Sequence, residues 1–412
     1  MIQRRHIFFA GGYDPQGVDG FYGMFRSAVK RFLRFWPVKV EVSPPTILSD
    51  SFAHWTIEAA GPNWKTSTRY DFLRQEEIIR SNIAESMVTQ LPRALWWIVD
   101  DIVSGTMARV LRSCWRFAAH HIYFQILLLV WIAIAIGGGW LAGAMMARFT
   151  GLPGWTAVIL GIVVGVGIFA ALRPLFDRWH VVQITNHWPL LRRFGRGEPS
   201  CFDRPIDTCA ERLISAARAN EADEIVVIGH SGGCVLALAI VARALERDPD
   251  LGKHGPKVAV VTLGSIMPAV AMHPSATAMR DMVRRIAVEP SITWADCQSR
   301  KDIMNFWDFD PVAGIGVETG PERCNPTVWQ VRFKDMVSSE FYRRLRTNFF
   351  RLHYQFILGS DRRAPYDYVM LTCGPLPAVE WAKNPQAALA SFAEDGALPQ
   401  TKTGAAMPAA AS

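Results

Sequence analysis

The residues best suited to chemistry are the string Gly229, His230, Ser231, Gly232 and Gly233. A serine projected from a tight turn can reach a substrate only if its neighbours are small, and the G-x-S-x-G spacing supplies glycine on both sides. The string lies where the apolar run 224–229 (EIVVIG) ends and a helical pattern over 232–246 begins. A helix starting there would aim its first N–H groups, and the positive end of its dipole, at a developing oxyanion. The plain alternative is a glycine turn joining a strand to a helix. A dinucleotide site has less support, because GHSGGC lacks the G-x-G-x-x-G spacing.

A serine nucleophile needs a base. In a strand–turn–helix architecture of this kind the order along the chain is serine, acid, histidine. Of ten histidines, only His254, His273 and His353 follow the string. His254 lies in a charged loop ahead of a strand, and His273 comes directly after the next one. His353 alone lies beyond the last candidate strand and is the expected base, although an ordinary helix histidine would look the same. His230 should point away if Ser231 points in. Three aspartates compete for the acid: Asp296, Asp302 and Asp310. Asp302 is favoured because it falls a few residues past the strand over 292–297, with room for a turn back to the imidazole. Asp310 begins the next loop, and Asp296 lies within the strand. A second oxyanion donor is expected from the turn at Gly11–Gly12, so the N–H of Gly12 or Tyr13 would pair with that of Gly232.

The elements that must hold these residues alternate. Strands are expected over 6–10, 38–42, 51–60, 224–229, 258–263, 292–297 and 327–333. Helices are expected over 20–35, 71–88, 92–119, 205–219, 232–246 and 277–284. Short apolar strands between helices predict a mostly parallel sheet covered on both faces. Two runs break this pattern. Residues 122–147 carry no charge, and after Arg148 the chain is uncharged again until Arg173. Each run exceeds the roughly 20 residues that span a bilayer core. The link over 148–154 is short, so the pair predicts a transmembrane hairpin. Glycines four apart at Gly139 and Gly143, and at Gly161 and Gly165, give each helix a small face suited to close helix contact, including contact with a second copy. Arg109, Arg112, Arg116, Arg173 and Arg178 flank the hairpin and only Arg148 lies in the turn, which puts both flanks on the cytoplasmic side.

The division that follows is residues 1–118 as the first part of one α/β domain, 119–176 as the hairpin, 177–383 as the part bearing the serine, and 384–412 as a flexible tail. The chain has 412 residues, 50% hydrophobic and 20% charged, with a net charge of +7. That composition excludes disordered and disulfide-scaffold classes. The basic residues gather near the hairpin, which suits anionic lipid and gives a nucleic-acid role little support. Seven scattered cysteines without CxxC spacing read as reduced thiols, and neither a metal nor a cofactor is expected.

With Ser231, His353 and the Gly11–Gly12 turn in place, the chain resembles the α/β-hydrolase superfamily. More narrowly, it is similar to a group of bacterial lipase-like membrane proteins of unassigned substrate. FFAGGYDPQG, IVVIGHSGGCVLALA, DCQSRKDIMNFWDFDPV and FFRLHYQFILGSDRRAPYDYVMLTCGPL carry the resemblance. It implies an esterase- or lipase-like activity on lipid-like acyl esters or thioesters at the bacterial inner membrane. The two-helix insertion ahead of the serine is a departure, since hydrolase caps normally follow it. A non-catalytic membrane scaffold keeping the same fold is the competing expectation. A channel or transporter is less supported, because the two helices are read as carrying no buried ionisable residue, which pumps and carriers usually need.

Overall fold

The computed structural model describes residues 1–151 and 153–398. Nine strands form one mixed, mostly parallel sheet: β1 (Arg4–Ala10), β2 (Lys39–Val42), β3 (Thr46–Ser49), β4 (Phe52–Ala60), β5 (Lys65–Leu73), β6 (Glu224–His230), β7 (Lys257–Leu263), β8 (Ile292–Gln298) and β9 (Thr327–Gln330). Their order is β2-β4-β5-β1-β6-β7-β8-β9, with β3 paired to β4. The block from β5 through β9 is parallel, while β2, β3 and β5 run antiparallel to β4. The central pair, β1 and β6, comes from opposite sides of the hairpin. The hairpin is therefore an insertion into a single sheet.

Alternation along the central strands builds two cores. Phe8 and Ala10 of β1, with Ile225 and Val227 of β6, face one side. Ile7 and Phe9, with Val226 and Ile228, face the other. Burial on both faces accounts for the unbroken apolar runs of these strands. The first face is covered by the helices Val181–Gly195, Asp203–Ala219, Gly233–Arg247 and Thr277–Ala287, the second by Gly17–Phe32 and Tyr368–Cys373.

Three expectations need correction. The helix expected over 71–88 is instead the end of β5 followed by the helix Glu76–Ala84. The strand went unseen because two of its inward positions are threonines. Thr66 and Thr68 are buried, and their hydroxyls bond the carbonyls of Cys373 and Thr372. The helix expected over 92–119 is three pieces, Met87–Val103, Thr106–Ser113 and the start of Trp115–Thr150. Gly105, at φ 70°, turns the chain between the first two. Residues 384–398 are not loose: they hold the helix Pro385–Ala390, and Phe392 packs edge-on against Trp36 and flat against Trp381. The rest of the expected tail, 399–412, lies outside the described residues.

The apolar runs form the helices Trp115–Thr150 and Gly154–Arg178, both long and apolar enough to cross a membrane. Their glycine faces meet each other within the chain. A Cβ on Gly139 would lie 2.4 Å from the Gly161 carbonyl oxygen, and one on Gly143 2.6 Å from that of Ala157. The faces read as suited to a second copy are thus turned inward. Below them Trp131 stacks on Phe169 at 4.1 Å and on Phe176 at 4.7 Å.

Candidate functional site

Ser231 is the turn residue between β6 and the helix Gly233–Arg247, held at φ 57°. A left-handed backbone is uncommon for a residue with a Cβ, and such strain is characteristic of sharply turned functional positions. The neighbours show why the turn requires glycine. A Cβ on Gly229 would lie 2.5 Å from Cys234 Cα, and one on Gly233 only 2.1 Å from the Ala10 carbonyl oxygen. The Ser231 N–H donates to the Leu263 carbonyl at 2.9 Å, tying the turn to the end of β7. The serine thus stands at the carboxyl ends of the parallel strands, where open α/β sheets bind ligands.

The Gly11–Gly12 turn follows β1 at the same edge. A Cβ built on Gly12 would lie 3.1 Å from Ser231 Cβ and 3.6 Å from its Oγ. Among the described residues, no acceptor is found for the amides of Gly12, Tyr13 or Gly232. The expected oxyanion donors are therefore gathered beside the hydroxyl and uncommitted.

His353 closes the short helix Phe349–His353, after β9. Its Nδ1 lies 2.6 Å from Asp302 Oδ2, and both side chains are buried. The ring's Cε1 edge sits against Gly264, where a Cβ would come within 3.1 Å of it, next to the residue that accepts the Ser231 N–H. No hydrogen bond joins Ser231 Oγ to His353 Nε2. The nitrogen is buried without a partner among the described residues. Asp302 is fixed from behind: its Oδ1 accepts from the Met304 amide at 2.9 Å, and Asn305 Nδ2 donates to its carbonyl at 2.6 Å.

The other two aspartates are elsewhere engaged. Asp310 is gripped by both terminal nitrogens of Arg323, at 2.7 and 2.8 Å. Partial burial alone would raise its carboxyl, but Arg323 and the amides of Val312 and Ala313 hold it below the usual range. Asp296 stays inside β8, bonded to Thr262 and to Gln298 at 2.8 Å, and burial pushes its carboxyl up to about 6.

Several contributors were not foreseen from the sequence. His230 Nε2 donates to the His353 carbonyl at 3.1 Å, so it braces the neighbouring loop while burial keeps its imidazole neutral. Tyr354 donates its hydroxyl to Asp14, joining the histidine loop to the glycine turn. The hairpin also reaches the site through both legs. Phe117, in the first, packs on Phe306 of the acid loop at 4.6 Å. After the second leg, His180 packs on Phe350 at 4.5 Å and Gln183 donates to the Tyr13 carbonyl at 2.7 Å. All five contacts pair residues more than 100 positions apart, so proximity in the chain gave no hint of them. Among the described residues no cluster of side chains suits a metal ion.

No known protein-family model, curated protein or solved structure matches this chain.

Proposed function

We propose that the chain is a membrane-anchored serine hydrolase of the α/β-hydrolase type, cleaving ester or thioester bonds of lipid-like substrates through an acyl-enzyme on Ser231. The observation that carries the proposal is the buried His353–Asp302 hydrogen bond, set beside a left-handed serine at a strand–helix turn. Ser231 Oγ would attack the acyl carbon while its proton passes to His353 Nε2. The carbonyl electron pair would then rest on an oxygen facing the Gly232 amide and that of Gly12 or Tyr13. Collapse of this adduct breaks the bond to the leaving group, which takes the proton from His353. Water then repeats the sequence and releases the acid. Asp302 fixes the His353 tautomer and favours the imidazolium.

The lipid assignment rests on the hairpin. Its surfaces are strongly apolar yet exposed, with Trp140 72% and Ile136 67% accessible, which a core helix of a soluble protein would not be. An apolar groove of about 890 Å³ runs between its two helices and Met87, Val88 and Leu91 of the preceding helix. Both legs root on loops of the candidate site, so the serine would work close beneath a bilayer. The Arg-rich flanks favour a bacterial inner membrane with the sheet on the cytoplasmic side.

The test is Ser231→Ala in detergent-solubilised protein. Turnover of p-nitrophenyl esters and labelling by a fluorophosphonate are both expected to vanish; full retention of both would sink the assignment. The missing Ser231–His353 hydrogen bond favours one second reading, a non-catalytic scaffold. Apo sites often have long catalytic contacts that tighten on binding. Absence of labelling in folded wild-type protein would support the scaffold.

A further inference from the structure

His187 belongs to the helix Val181–Gly195, which follows the hairpin, and the proposed reaction has no role for it. Its ring lies flat on Tyr13, with centroids 4.5 Å apart and planes inclined by 20°. The Cε1–Nε2 edge faces Gly232 so closely that a Cβ there would lie 2.8 Å from both atoms. One imidazole therefore touches the two residues whose amides flank the serine. Neither ring nitrogen has a hydrogen-bonding partner among the described residues, although the residue is only 6% exposed. Neither nitrogen is among the fully buried unpaired atoms, so the ring keeps a donor open to a ligand atom arriving between Tyr13 and Gly232.

We propose that His187 donates an imidazole N–H to the oxyanion formed at Ser231, as a third donor beside the Gly232 and Gly12 or Tyr13 amides. The inference rests on the hydrolase reading above. A neutral imidazole suits the task, because it keeps one N–H to give and adds no net charge to the ground state. Burial pushes the His187 ring down to about 3, so it stays neutral throughout the range in which a serine hydrolase works. The hydrogen bond becomes stronger as the carbonyl oxygen gains charge, so it favours the transition state over the bound ester. It also gives the hairpin a chemical link to the site. The donor stands on the first helix after the membrane, and Gln183 of the same helix holds the Tyr13 carbonyl.

Two variants separate donation from packing. His187→Phe keeps a flat ring against Tyr13 and removes the N–H. His187→Gln keeps an N–H donor and gives up the stack. For p-nitrophenyl butyrate, His187→Phe should lower kcat about 10²-fold with KM nearly unchanged, in line with loss of one oxyanion donor. His187→Gln should recover at least tenfold of that loss. A purely structural role predicts the reverse order, with phenylalanine the better tolerated. Wild-type kcat in His187→Phe, or a phenylalanine variant more active than the glutamine one, would overturn the inference while leaving the hydrolase reading intact. If His187→Phe does not fold, wild-type-like kcat in His187→Leu refutes it equally. An inactive, unlabelled wild-type protein would remove the hydrolase reading and this inference together.

Discussion

Three aspartates compete as partner to one histidine, and their surroundings assign them different work. Asp302 is fully buried, touches His353 Nδ1 and is braced by an amide and an asparagine. Asp310 is part-exposed and answers to Arg323. If Asp302 orients the imidazole and stabilises its cation, Asp302→Asn presents the wrong hydrogen-bonding pattern to Nδ1. The rate should then fall on the order of 10⁴-fold, with little change in KM. Asp310→Asn should leave the rate untouched and lower stability by less than about 1 kcal/mol, the usual worth of a solvent-exposed ion pair. Steady-state kinetics and thermal unfolding of the two variants side by side check both statements. Equal activity in the two would remove Asp302 from the site. The choice was open in the sequence because all three carboxylates fall within fifteen residues. Spacing put Asp302 first, but only the course of the loop, folded back by Asn305, separates a carboxylate that meets the ring from one that meets an arginine.

At the scale of elements, the turn between β6 and its helix is where close packing leaves least freedom. Gly233 meets the backbone oxygens of Ala10 and Gly11, at 2.1 and 2.3 Å from where a Cβ would stand. Backbone atoms of a central strand cannot swing aside as a flexible side chain would. Gly233→Ala should therefore destabilise the protein by about 3 kcal/mol. Gly23, within the helix Gly17–Phe32, has nothing within 4 Å of its Cβ position, so Gly23→Ala should be neutral or stabilising by up to about 1 kcal/mol. Melting temperatures of the pair measure the difference, and equal effects would contradict the packing described. This turn was readable because its requirement is local: strand, small residue, serine, small residue, helix. The hairpin was readable too, since uncharged runs of that length have few other uses. The strand β5 was not, because its inward residues are Thr66, Thr68, Tyr70 and Phe72, and the two threonines are satisfied by carbonyls some 300 residues away. The ordered stretch to residue 398 hid for the same reason. Its alanines and glycines read as a tail, while Phe392 finds Trp36 and Trp381 only in the folded chain.

For the whole molecule the governing question is which side of a bilayer the sheet occupies, because the hairpin legs and the sheet are joined without slack. His180 and Gln183 follow the second leg directly and already contact Phe350 and Tyr13. The first leg carries Phe117 on the acid loop before its uncharged stretch begins. If the hairpin crosses a bilayer, the sheet and both roots must therefore lie on one side, and only the link between the two helices can reach the other. Five arginines flank the roots against one in the turn, so the rule for charged flanks predicts roots in the cytoplasm. Cys201 and Cys324 are exposed on the sheet side, whereas the other five cysteines are buried, so the native chain already carries reporters. A membrane-impermeant maleimide applied to intact cells should leave both unmodified and label them after lysis. Pro153→Cys, in a chain with Cys201 and Cys324 replaced by serine, should label in intact cells. Labelling of the native thiols without lysis, with Pro153→Cys protected, would invert the orientation. Protection of all three before lysis would mean that the hairpin does not cross. A serine that opens toward the bilayer from the cytoplasmic side would meet only inner-leaflet lipids and acyl esters made in the cytoplasm, so the same experiment narrows the substrates worth screening.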